Sequence, residues 1–541
     1  MRKLLLKHKS IIIKTIGIAL LLCCVAAVIY FFVQQKSGQA YQQLIIGRYN
    51  DAISLDPAIT TDAESFEVTA NIYETLVKTD KKAQELLPGL AETWSVSEDG
   101  LTWIFKIRTD VVFHDGTSLD AKAVAFNFHR WMNEDSPYHT GQFTYWSHSF
   151  NGFPGIVESV TALSDTTLEI ILNEPFAPFL SVLSMPAYGI ASPEAIMTYN
   201  EGLKDHPVGT GPFMFKSWEK GDEIVLEKNN HYWSTEAKVD TVVFRLIHPY
   251  EDRIELLTSG DIHIANNLLP QEMKAIKQNN TVKVQYRPFL NIGYLALNNT
   301  SEHFSDERVR EAVSLLIDKE NMLATELDEL TKPAHSFLPP LLLGYHEGIQ
   351  SKVYNLDKAK KLLADAGYPN GFDTSLWVMD KPRNYFSDPR GLANYLKSQL
   401  APAGIDLEIE VIKWEDYIER IKDGQQEMAL VGWNGDFVDP DNFLYTLFSS
   451  ENMKKGLVLN YSFYQNERVD YLLTQARRTT DTTFRKSLYR EIQEVIDSEV
   501  ASIPLVHTMT AVGVNESVSG FNVHIAGVEE LKDVELLSGE K

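Results

Sequence analysis

Met428 to Leu444 reads MALVGWNGDFVDPDNFL, and the reading of the whole chain depends on where this pattern breaks. Met428–Trp433 is a short apolar run of the kind that forms a buried strand. It stops at Gly435-Asp436, and Asp439, Pro440, Asp441 and Asn442 follow as a cluster of turn formers. In an open α/β sheet, loops at the carboxyl ends of strands are where ligands sit. This loop carries an aromatic wall in Trp433, a glycine in Gly435 that permits close backbone approach, and an anion in Asp436. An anion beside an apolar plate suits a cationic group such as a ligand amine. The competing reading is that Asp436 only caps its own turn, which is the commoner use of a loop aspartate.

The surroundings of this stretch alternate strand and helix. Before it come a strand at Phe372–Val378, a loop to Arg390, a helix at Leu392–Leu400, a strand at Leu407–Ile412 and a helix at Trp414–Lys422. After it come helices around Val469–Arg477 and Thr483–Glu499, then a strand at Ile503–His507. A further helix is expected to start at Ser305, as its N-cap, with Asp306 and Glu307 in the first turn. Residues 289–505 therefore read as one large α/β domain. Its entry, the extended segment Gln285–Asn298, and its exit at Ile503–His507 are candidate crossovers to a second lobe, and two crossovers make a hinge with a cleft.

The other lobe is assembled from pieces. Residues 43–80 open with a β-rich run, Gln43–Tyr49, and a segment of helical spacing, Ser65–Leu76. Residues 81–200 read as an inserted α+β domain, with hairpins around Asp99-Gly100 and Ser164–Thr167 and an amphipathic helix at Asp120–Trp131. Residues 201–288 and 506–541 complete the first domain. Pro207–Phe213 is glycine-rich but lacks the Lys-Ser/Thr of a phosphate loop, so it reads as a backbone turn.

Composition narrows the function. The 541 residues exceed one core, so two or three domains are expected. Net charge is −24; residues 1–42 hold six basic residues and no acid, so the remainder, with 44 basic against 74 acidic residues, carries −30. A body this acidic repels phosphate backbones and argues against nucleic-acid binding. Thr15–Val33 is nineteen uncharged residues preceded by basic ones, and the apolar stretch begins near residue 11. This predicts a membrane-spanning helix over about 11–33, with the following body outside the cell. Gly38-Gln39-Ala40 offers a weak cleavage site, and Cys23-Cys24 lacks the small preceding residue of a lipidation signal. These two cysteines are the only ones, so the exported body holds no disulfide.

The sequence contains no H-E-x-x-H, G-x-S-x-G or Walker lysine loop, and its fourteen histidines fall at no ligand spacing. No metal and no cofactor are expected. Asp439 and Asp441 have the chemistry of hard-cation ligands but sit in a proline-containing turn, where acids ordinarily form the turn. Arg383 lies in a loop after a strand, in the same domain as Asp436. It is either a solvated surface charge or a planar fork for a ligand carboxylate, and Arg390 competes for that role.

Four motifs carry a resemblance to a known family: Leu87-Pro88-Gly89-Leu90-Ala91-Glu92-Thr93-Trp94, Phe113-His114-Asp115-Gly116, Gly209-Thr210-Gly211-Pro212-Phe213 and Gly432–Phe443. In this order, over nearly the whole exported body, they resemble the bacterial extracellular solute-binding proteins of the peptide and nickel class, the receptors of ABC importers. GWNGDFVDPDNF is most similar to the class's dipeptide receptors. The resemblance implies an α/β, type II periplasmic-binding-protein fold, two lobes around a hinged cleft with an extra inserted α+β domain. It implies that Asp436 holds a peptide ammonium, flanked by Trp433 and Gly435, and that Arg383 holds the carboxylate beside Tyr385, with Arg390 as the second arginine. It also implies a monomer that delivers a short peptide to membrane permease subunits and is not an enzyme. Two departures stand out. Ser449 and Ser450 occupy the region where dipeptide receptors carry a disulfide, and a membrane anchor replaces the usual cleaved signal. A metal chelate, haem or a glutathione-like peptide is the alternative ligand, and a membrane-anchored peptide sensor without transport the alternative of another class.

Overall fold

The computed structural model describes residues 42–80, 85–249, 252–277, 279–326, 330–454 and 458–537. The expected anchor at about 11–33 lies outside the described residues. Among those described, no helix is long and apolar enough to cross a membrane.

Two large sheets carry the body. The first has seven strands, in spatial order Val282–Arg287, Thr510–Asn515, Ile264–Ala265, Gln43–Arg48, Thr241–Leu246, Glu223–Lys228 and Phe213–Glu219. The second has six: Thr331–Pro333, Ile503–Thr508, Asn291–Leu297, Met428–Asn434, Asp373–Met379 and Asp406–Ile412. Asn291–Leu297 is buried at all seven positions, which is why it reads as an almost unbroken apolar run rather than an alternating one. A separate four-stranded antiparallel sheet, from Ala91–Val96, Thr102–Ile107, Thr167–Leu172 and Val157–Ser164, packs against the helix Ala121–Met132.

The chain passes between the two large sheets twice, from Val282–Arg287 into Asn291–Leu297 and from Ile503–Thr508 into Thr510–Asn515. A polar clasp joins the crossings at the rim of the six-stranded sheet. The Asn291 amide donates to the Thr508 carbonyl (2.7 Å) and accepts the Thr508 N–H (2.9 Å), and His507 Nδ1 bonds the Asn291 carbonyl (2.6 Å). Burial pushes the His507 imidazole down to about 4, so it stays neutral in this apolar setting.

Two local expectations change. The segment Ser65–Leu76 is helical only over Ala63–Thr69. Ile72, Tyr73 and Leu76 are buried as the spacing suggested, but tertiary hydrogen bonds capture the backbone after Thr69. The Asn71 amide donates to the carbonyls of Glu67 (3.0 Å) and Glu529 (3.1 Å), and the Gly211 N–H takes the Ile72 carbonyl (2.8 Å). The glycines of Pro207–Phe213 are needed for that approach, since a Cβ on Gly209 would lie 2.1 Å from the Ile72 oxygen. The helix expected to start at Ser305 is capped instead by Asp306, whose carboxylate accepts the Arg308 N–H.

Asp439 and Asp441 serve their turn, the Asp441 N–H bonding Asp439 Oδ1 at 2.9 Å, and each also meets an arginine. Arg485, on the helix Thr482–Ser498, grips both Asp439 oxygens at 2.7 Å and donates to the Ala476 carbonyl. Arg477 lies 3.3 Å from Asp441. Among the described residues no group of acids, histidines or cysteines has metal-binding geometry. The Asp439–Arg485 pair is buried on both sides, so removing one partner strands a charge. Arg485→Met is expected to lower stability by about 3–5 kcal/mol in urea unfolding, and the double variant with Asp439→Leu to recover most of that loss.

Candidate functional site

The strand Asp373–Met379 runs parallel to both Asp406–Ile412 and Met428–Asn434, so the carboxyl ends of all three reach one edge of the six-stranded sheet. Three loops leave that edge. The first carries Arg383 and Tyr385, the second leads directly into Trp414, and the third carries Gly435 and Asp436.

In the third loop, Asn442 takes over the capping that a loop aspartate ordinarily performs. Its Oδ1 accepts the Asp436 N–H (2.8 Å) and the Trp433 indole N–H (3.3 Å), which holds the aromatic wall against the turn. Gly435 is required by packing. A Cβ there would lie 2.7 Å from Leu290 Cγ and 2.9 Å from the Phe443 ring, so the space is filled by protein rather than left for a ligand. The Gly435 N–H closes the loop on the Leu290 carbonyl (2.7 Å).

The Asp436 side chain is thus available for other contacts. It is half-buried, and its Oδ1 accepts the Tyr145 hydroxyl at 3.0 Å, a residue 291 positions away in the helix Thr144–Phe150. Burial pushes the Asp436 carboxyl up to about 6, opposed by hydrogen bonds from Tyr145 and Asn442; among the described residues no cation is among the groups acting on it. Carrying its charge at neutral pH therefore costs on the order of 3 kcal/mol relative to water. Burial also pushes the Tyr145 phenol well up, which keeps it a donor.

Asp436, Phe437 and Val438 form one wall of a cavity of about 440 Å³. The rest of the lining comes from the chain around Tyr73–Asp80, from Met185-Pro186 and from the C-terminal stretch Asn522–Lys532. Phe437 is buried in the apolar core of the inserted domain, among residues such as Phe66 and Tyr188. Further contacts cross the cleft beside it. Ala177 donates its N–H to the Arg477 carbonyl (2.6 Å), Arg477 stacks over Phe176, and Arg478 pairs with Glu174 at 2.7 Å. These contacts tie the helix Glu467–Arg478 to the segment Glu174–Ala177.

Arg383 and Tyr385 occupy the neighbouring loop and do not line this cavity. The Arg383 guanidinium lies flat over the Trp414 ring at 3.4 Å, and its main chain pairs with Phe386 through two hydrogen bonds. Tyr385 is buried with its ring on Gly432, where a Cβ would come within 2.5 Å of the ring atoms. The first glycine of Gly-Trp-Asn-Gly-Asp is therefore a seat for Tyr385. Arg390 is exposed in the first turn of the helix Pro389–Leu400. Sequence reasoning missed Tyr145 and Asn442. Asn442 stood in the quoted stretch but had no mark separating it from a turn former, and Tyr145 carries no local signal at all.

Similarity to known proteins identifies the family. The chain is 31% identical over 496 residues to the dipeptide-binding protein of Escherichia coli K12, covering 89% of this chain and 92% of that protein. It is 30% identical over 484 residues to heme-binding protein A of Haemophilus influenzae, covering 87% and 88%. An ABC-transporter-associated periplasmic binding protein of Helicobacter pylori, solved with the peptide STSA, superposes with a TM-score of 0.80 at 33% identity, over 93% of this chain and all of that one. Residues 85–455 match the model for bacterial extracellular solute-binding proteins, family 5, and the chain belongs to that family.

Proposed function

We propose that this chain is the extracellular substrate-binding receptor of an ABC importer, capturing short peptides and delivering them to a membrane permease. It acts as a monomeric binding protein rather than an enzyme, and its N-terminal apolar segment holds it at the membrane. The observation that carries the reading is Asp436, a carboxylate withdrawn from water, relieved of turn capping and with no cation acting on it among the described residues. A peptide ammonium supplies that cation. Arg383 takes the peptide carboxylate. Trp433 stands beside Asp436, Tyr385, seated on Gly432, backs the loop that offers Arg383 to the ligand, and Gly435 keeps its loop tight against Leu290 so that Asp436 is held in place. At about 4 Å and an effective dielectric near 20, each charge contact contributes roughly 4 kcal/mol before desolvation.

Relatives of this chain include a haem-binding protein. Haem carries two propionates, and an uncompensated acid in the cleft opposes an anionic ligand. The same acid suits a peptide amine, so the peptide reading is preferred. Closure then follows ligand: a peptide bridging the loops of the six-stranded sheet and the opposite lobe stabilises the closed form over the open one, and the permease reads that form.

Asp436→Asn is expected to weaken peptide binding by about 2–5 kcal/mol in calorimetry, and unchanged affinity would sink the assignment. Arg383→Met is expected to weaken free-acid dipeptides while leaving C-terminally amidated ones nearly unchanged. Affinity is also expected to depend on pH with a definite sign. The ammonium binds the ionised form of Asp436, so affinity is full above the raised pKa of about 6 and falls by roughly tenfold per pH step below it. Asp436→Asn should abolish that acid limb.

A further inference from the structure

The cavity bounded by Asp436–Val438 is also lined by charged groups that the amine assignment does not use: Glu74, Lys78, Asp80, Glu530 and Lys532. Of these, Lys532 stands out. Its backbone is fixed on both sides. The Leu531 N–H bonds the Asn71 side chain (3.0 Å), Leu531 and Val534 are buried, and the Lys532 carbonyl accepts the Lys238 N–H (3.0 Å). The Lys532 side chain is half-buried, and its ammonium stands 6.0 Å from the Tyr232 ring centre. Tyr232 in turn is pinned by its hydroxyl to Glu74 at 2.9 Å. The other lysine of the wall, Lys78, is already shared between Glu530 (3.3 Å) and Glu74 (3.5 Å). Glu530 is within electrostatic reach of both lysines, yet among the described residues Lys532 makes no ion pair within 4.0 Å.

Among the described residues, one cavity is thus lined both by an acid with no cation acting on it and by a lysine that no carboxylate approaches within ion-pair distance, Glu530 acting on it only from farther off. Its volume of about 440 Å³ lies within the range of pockets that hold small-molecule ligands, and far exceeds one side chain. Most of the remaining lining is apolar or aromatic, from residues such as Tyr73, Leu87, Met185, Phe437 and Val528. Such a wall buries apolar side chains and strengthens charge contacts at its ends.

We infer that this cavity is a binding chamber for zwitterionic ligands of two or three residues, with the ammonium on Asp436 and the carboxylate on Lys532. Lys532 is then a second carboxylate anchor, separate from Arg383, and the two anchors select different peptides from one shared amine position. The inference rests on the proposed role of Asp436.

The test is calorimetry on the full body with trialanine and its C-terminal amide as probes, using the parent, Lys532→Met, Lys532→Gln, Arg383→Met and Asp436→Asn. Trialanine is expected to bind the parent at least about tenfold more tightly than its amide. Both Lys532 variants should erase that preference while binding the amide as the parent does, so amide binding also reports that each variant is folded. The preference should survive in Arg383→Met. Three results would overturn the inference: a parent that does not bind trialanine, Lys532 variants that keep the preference for the free acid, or its loss only in Arg383→Met. Undiminished trialanine binding by Asp436→Asn would instead remove the amine assignment itself, whatever the Lys532 variants do.

Discussion

A carboxylate drawn out of water, with no cation acting on it among the described residues, is the constraint on which the cleft depends. Left to itself, such a group turns toward solvent or neutralises. Asp436 is prevented from turning because its loop is fixed at several points. Asn442 holds the Asp436 N–H and the Trp433 indole, the Gly435 N–H is tied to Leu290, and Asp439 is clamped by Arg485. The bidentate Asp439–Arg485 pair and the packing on Gly435 make the loop rigid enough to keep an unfavourable charge in place. In the proposed reading, a cationic ligand end relieves that charge, and the relief appears as affinity.

The second constraint is how the lobes move. The chain crosses between the large sheets at two points, and the Asn291–Thr508–His507 clasp ties these points together beside the six-stranded sheet. Movement of one lobe against the other is thereby confined to the few residues between the paired strands. The closing contacts are modest. Arg478–Glu174 is a largely exposed pair, which contributes little. Phe437 supplies an apolar plug, and Tyr145 bonds Asp436. Closure of this strength is readily biased by a ligand that touches both sides.

Much of this was legible in the residues. The apolar run ending at Gly435-Asp436 announces a buried strand and its loop, and the βα alternation around it announces an α/β sheet with functional loops at one edge. Local rules failed where long-range partners intervened. Ser65–Leu76 has helical spacing because Ile72, Tyr73 and Leu76 all face a core, yet the helix stops at Thr69 because Asn71 and Gly211 draw the backbone into tertiary hydrogen bonds. Gly435 looked like a position left open for close approach, and Leu290 and Phe443 occupy that space. Asp439 and Asp441 form the turn, as their residue types suggest, but their arginine partners lie on helices far along the chain.

By itself the sequence determined the elements: which runs are apolar, where glycine and proline end them, that an acid stands beside an indole on a loop, and that the body is strongly acidic. These are properties of neighbouring residues, set by periodicity and turn chemistry. Only the tertiary structure decided which acid is buried with no cation acting on it among the described residues. That depends on Asn442 assuming the turn's hydrogen bonds, on Tyr145 arriving from 291 residues away, and on no cation being brought near among the described residues. A side chain's charge is written in the sequence; its burial and its partners arise only when distant segments meet, because desolvation and Coulomb energy depend on distance in space.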